Sequence, residues 1–145
     1  MAFRFSLAAV LKVREAVENR ELYRLERIQQ EIAQTLQSLQ ELNQERQEYT
    51  ELRPQALARA VYAMDLLHLD QARQSLDSRG NALERALATL QTQRLEQLDR
   101  YQAARRGRQV LSDMFEHQRK AYQVAMDRKQ QRVQDDIFLS RRNRE

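Results

Sequence analysis

Leu25-Glu26-Arg27-Ile28-Gln29-Gln30-Glu31-Ile32-Ala33-Gln34-Thr35-Leu36-Gln37-Ser38-Leu39-Gln40-Glu41-Leu42 is the stretch that decides the fold. Leu25, Ile28, Ile32, Leu39 and Leu42 recur with heptad spacing, and Thr35 stands where a contact between Ile32 and Leu39 is due. Gln, Glu and Arg fill the remaining positions. On a helix these apolar residues share one narrow stripe. Such a stripe cannot enclose a globular core, so it needs a partner helix alongside, as in a coiled coil.

The stripe extends through a first arm, about residues 6–53, with Leu7, Val10, Val17, Leu36, Tyr49 and Leu52. A second arm, about residues 81–140, repeats it with Leu83, Leu87, Leu90, Leu98, Tyr101, Leu111, Phe115, Tyr122, Met126, Val133 and Ile137. Upstream of Leu25 the apolar positions slip off the heptad toward 3.6–3.67 residues per turn, which predicts a nearly straight pair. Ser6 is a good N-cap for the first arm, and Phe5 and Val10 fall at the two positions of a hydrophobic staple. Pro54 disfavours helix at Arg53 and predicts a stop there. Residues 54–80, with Leu57, Val61, Met64 and Leu67 at helical spacing, read as one or two short helices closed by Gly80 in a left-handed conformation. Gly107, inside the second arm, costs about 1 kcal/mol relative to Ala. The tail, residues 141–145, is expected to fray.

Three architectures fit these arms: an intramolecular antiparallel hairpin, a long parallel homodimer and a three-helix bundle. The breaks at Pro54 and Gly80 favour the hairpin. The expected fold is all-α, a single-domain antiparallel two-helix coiled-coil hairpin with short helical segments at its closed end. An arm of about 48 residues is roughly 70 Å long at the α-helical rise.

The totals agree. With 41% hydrophobic and 32% charged residues, two Gly and one Pro, the chain has the composition of long exposed helices rather than of a thick core. Without Cys there is no disulfide or thiolate chemistry, as suits a reducing cytoplasm. No apolar run is long enough to span a membrane, and the first residues do not read as a secretion signal. The net charge of +4 is uneven: −1 over residues 1–53, zero over 54–80 and +5 over 81–145.

No catalytic constellation emerges. Two glycines leave no phosphate-cradling loop. His68 between Asp65 and Asp70 offers ligand-type side chains, but a solvated helix face explains them better than a metal. No catalytic, cofactor-binding or metal-ligating residue is expected. Arg105, Arg106, Arg108, Arg119, Lys120, Arg128, Lys129 and Arg132 are a possible phosphate track. Asp99, Asp113, Glu116 and Asp127 interrupt it, and few aromatics remain for base stacking. The expectation is therefore no nucleic acid and no membrane insertion. What remains is a stiff rod, monomeric in isolation, that presents surface to protein partners. On residues alone, a basic nucleic-acid-binding coiled coil and a self-assembling structural coiled coil stay open as alternatives.

The opening Phe3-Arg4-Phe5-Ser6-Leu7, followed by Val10-Leu11 and Val13-Arg14-Glu15, resembles the FliJ family of the bacterial flagellar export apparatus. Leu39, Leu42, Glu48, Tyr49 and Leu52 are similar to the end of the family's first helix. Gln134-Asp135-Asp136-Ile137 resembles its acidic patch near the C-terminus. The resemblance implies a non-enzymatic, cytoplasmic coiled-coil stalk, peripheral to the inner membrane at the flagellar base. Its implied partners are the hexameric export ATPase, whose assembly it promotes, the cytoplasmic domain of the export gate, and export chaperones that it escorts. By position, Leu42, Tyr49 and Leu76 match the family's gate-facing patch. Ser38, Glu45 and Ala72 depart from it, where a larger amide or an aromatic is expected. Phe3, Arg4, Phe5, Arg141 and Arg142 are the candidate contacts with the ATPase ring.

Overall fold

The computed structural model describes residues 2–59 and 62–144. Two long helices pack against each other as an all-α hairpin: α1, Ala8–Arg59, and α2, Ala63–Arg142. The contacts group into two compact units, Met1–Glu21 with Tyr101–Glu145, and Leu22–Arg100. In both, rising numbers on α1 meet falling numbers on α2. Glu45 meets Arg79 and Tyr49 meets Leu69, while Phe5 meets Phe115 and Glu18 meets Arg108. The pairing is antiparallel.

In the Leu22–Arg100 unit the α1 side chains withdrawn from solvent include Leu25, Ile28, Ile32, Thr35, Leu39, Leu42, Arg46, Tyr49 and Ala56. Their steps alternate between three and four, with one seam position, Arg53, exposed. On α2 the same steps run through Leu69, Leu76, Gly80, Leu83, Leu87, Leu90 and Gln97. In the other unit the sheltered positions include Leu7 in the turn before α1, Leu11, Val17, Glu18 and Glu21 on α1, and Tyr101, Ala104, Arg108, Leu111, Phe115 and Tyr122 on α2. Glu18 and Glu21 keep the steps of three and four upstream of Leu25, while Val17, which departs from that register, is half-buried beside them and Arg14 is exposed. Val10, Leu36 and Leu52 are exposed, as are Val133 and Ile137. Polar residues fill several seam positions instead, and a count of apolar residues passes over them.

Each local break expected from sequence is absorbed. Pro54 lies inside α1, which continues to Arg59. Proline's ring-fixed φ is helix-compatible, and on this exposed stretch the lost N–H withdraws one bond from the carbonyl four residues back. Gly80 lies inside α2 with an ordinary negative φ, so it closes no helix. The separate segment expected over 54–80 is thus shared between α1 and α2; Val61 lies outside the described residues. Gly80 has a different use. A Cβ there would collide with the Arg46 guanidinium, its Cζ only 2.9 Å away. The missing side chain is the seat into which Arg46 folds, with Nη2 donating to the Leu76 carbonyl at 3.3 Å.

The α1 start also differs from expectation. Ala8 N–H donates to the Phe5 carbonyl at 3.1 Å, and helix begins at Ala8. Phe5 is buried against Phe115 at a ring-centroid distance of 5.4 Å, while Val10 stays exposed, so cross-helix aromatic packing takes the place of the staple. At the far end α2 holds its helix through Arg142, and Asn143 N–H still donates to the Leu139 carbonyl. Of the tail expected to fray, residues 141 and 142 are helical and 143–144 form a turn; Glu145 lies outside the described residues.

Candidate partner-docking sites

The three residues matched to a gate-facing patch have different environments. Leu42 is 1% exposed and is the most completely buried large side chain of the described residues. It offers no surface while α1 and α2 stay packed. Tyr49 is half-buried, and its hydroxyl donates to the Leu69 carbonyl at 2.6 Å, which fixes the ring across the seam. Leu76 is half-buried on α2. Tyr49 and Leu76 line one surface notch of about 240 Å³ together with Arg46, Thr50, Arg53, Arg73 and Asp77. Two of the three residues thus come together, and three arginines that no sequence motif singled out surround them. The signal for Arg46 and Arg53 was present as spacing, because they extend the steps 42, 46, 49, 53 and 56 along the seam.

The positions proposed for ring contact also separate. Phe3 and Phe5 fold onto α2: Phe3 lies 5.6 Å from Phe115 and 5.5 Å from Tyr122, centroid to centroid. Arg4 between them is exposed. Arg141 and Arg142 are exposed in the last turn of α2, about twenty residues past Tyr122, so roughly 30 Å along the helix. Every residue of α2 from Asp127 onward is exposed, including Val133, Ile137, Phe138 and Leu139. This terminal stretch has an apolar face and a basic end.

Two arginines of α2 reach carboxylates of α1 at hydrogen-bond distance. Arg108 meets Glu18 bidentately, Nε to Oε2 at 2.6 Å and Nη2 to Oε1 at 3.3 Å. That bond holds the Arg108 guanidinium above its ordinary range; the charge of Glu18, with smaller help from Glu15 and Tyr101, adds to it, and partial desolvation opposes it. Arg79 and Glu45 form a similar fork at 3.0 and 3.3 Å on an exposed face, and the bond to Glu45 raises the Arg79 value too.

The Asp65 carboxylate accepts the Tyr62 N–H at 3.2 Å, which ties it to the start of α2. Among the described residues no cluster of His, Asp and Glu is arranged to hold a metal ion. Within the same residues no helix is long and apolar enough to cross a membrane.

Against family models, residues 3–145 match the one described as flagellar FliJ protein. No curated protein and no solved structure matches the chain.

Proposed function

The chain belongs to the FliJ family of flagellar proteins, components of the flagellar export apparatus, and on that premise we propose that it is a non-enzymatic stalk linking the hexameric export ATPase to the export gate. In this reading it binds the ATPase, promotes ring assembly and activity, and escorts export chaperones. It works on the cytoplasmic side of the inner membrane at the flagellar base, and it is a monomer when purified alone.

The observation that carries the proposal is the family match over residues 3–145 of a chain folded as one helical pair. Two surfaces support it. The exposed end of α2, with Ile137, Phe138, Arg141 and Arg142, offers apolar and cationic groups to the ring; Arg4 adds a charge, while Phe3 and Phe5 hold the N-terminal segment on α2. Tyr49 and Leu76 offer a notch to the cytoplasmic domain of the gate. Leu42 is buried in the seam and offers the partner no surface.

The test is ATP hydrolysis by the cognate flagellar export ATPase titrated with the purified chain. Stimulation saturating at one copy per hexamer is expected, since a single central stalk breaks the ring's symmetry only once. Absence of binding and stimulation, under conditions where the ATPase forms hexamers, would refute the proposal.

A further inference from the structure

Arg108 and Arg79 each meet a carboxylate of α1 at hydrogen-bond distance, Glu18 and Glu45 respectively. The notch beside Tyr49 and Leu76 is different. Arg46 and Arg73 share one carboxylate, that of Asp77, and each stands 3.9 Å from it. At that distance neither makes a hydrogen bond. Arg53 has no ion pair among the described residues. The buried Nε of Arg46 has no acceptor among them either. Three guanidiniums thus surround an apolar wall with one carboxylate between them, an excess charge of +2.

We propose that this notch receives an acidic side chain, aspartate or glutamate, carried beside an apolar residue on an exposed segment of a protein partner. The Tyr49 ring and Leu76 take the apolar residue; Arg53 and Arg73 take the carboxylate. Guanidinium forks match carboxylates in geometry as well as charge. The surroundings choose a single carboxylate over a polyphosphate. Glu48, Glu51 and Asp70 are exposed on the same stretch of α1 and α2 and repel an extended polyanion, which needs a run of cations. The identity of the partner rests on the gate reading above; the chemistry of the notch does not.

Two measurements separate them. The first is binding of the full chain to the purified cytoplasmic domain of the export gate, with wild type compared to Arg53→Gln/Arg73→Gln. Both side chains are exposed, so the double variant should keep the wild-type circular dichroism. About tenfold weaker binding with a flatter salt dependence is expected, as befits loss of two charge-assisted contacts. Wild-type binding that the double variant leaves unchanged overturns the notch and leaves the gate reading intact. No wild-type binding removes the gate reading, and the notch is then decided by the second measurement. There, acetyl-Leu-Asp-Leu-amide and its Asn counterpart are titrated into the labelled chain while the Arg Nε–Hε resonances are followed. Saturable shifts of Arg46, Arg53 and Arg73 with the Asp peptide alone are expected. Equal shifts with the Asn peptide, no shifts, or stronger shifts with inorganic phosphate or a short oligonucleotide overturn the proposal.

Discussion

Leu42→Ala is the most direct test of the seam, because Leu42 is 1% exposed in a structure where most apolar side chains are half wet. The change deletes three carbons, worth about 2.4 kcal/mol at roughly 0.8 kcal/mol per buried carbon. A cavity adds to this where the surroundings stay rigid. A two-helix layer has solvent close on both sides and can close around the gap, so the cost should sit near the low end of the range, about 2.5–3 kcal/mol. With an unfolding entropy of about 0.3 kcal/mol/K for a chain of this length, the melting temperature should fall by roughly 8–10 °C. The assay is thermal and urea unfolding followed by helical circular dichroism, with Leu66→Ala as the control. Leu66 is 50% exposed, and its truncation should stay within about 0.5 kcal/mol. Equal losses for the two variants would refute the seam assignment. Gate binding is an independent readout. Measured well below the melting temperature, Leu42→Ala should bind the gate domain as wild type does. Lost binding with unchanged melting would move Leu42 to the docking surface.

The two glycines should respond differently to alanine. At Gly107 a new Cβ meets Arg14 at 3.6–4.0 Å, ordinary contact, so Gly107→Ala should stabilise by about 1 kcal/mol through helix propensity. At Gly80 the same gain is offset by expelling the Arg46 guanidinium from its bond to the Leu76 carbonyl, worth about 1 kcal/mol, so the net in urea unfolding should lie near zero. Glu18→Gln should lower the melting temperature more than Glu45→Gln. The Glu18–Arg108 fork is the more sheltered of the two, so it is less screened by water, and the gap between the variants should persist in high salt.

Much of the fold was legible because one pattern dominates. A narrow apolar stripe on nearly every turn, with Gln, Glu and Arg elsewhere, admits little besides long paired helices, and the opening Phe3-Arg4-Phe5-Ser6-Leu7 pointed to the family that residues 3–145 match. The candidate sites were less legible. Tyr49 and Leu76 came from the resemblance, while Leu42, from the same source, proved to be core. Arg46, Arg53 and Arg73 carry no motif, since a guanidinium on a helix is ordinarily a solvated side chain.

Residue spacing alone dictates two helices and their need for each other, because the 3.6-residue turn converts spacing into a face and water drives that face to be covered. It did not determine where the helices end. Pro54 and Gly80 are local breakers whose effects, a few kcal/mol at most, depend on what lies opposite. In the folded chain Pro54 falls on an exposed stretch of α1, and Gly80 falls where Arg46 needs room. That polar residues such as Arg46, Gln97 and Arg108 complete the seam emerges only once the two helices are packed. A buried polar group is tolerable only with partners on the other helix, and those partners lie tens of residues away along the chain.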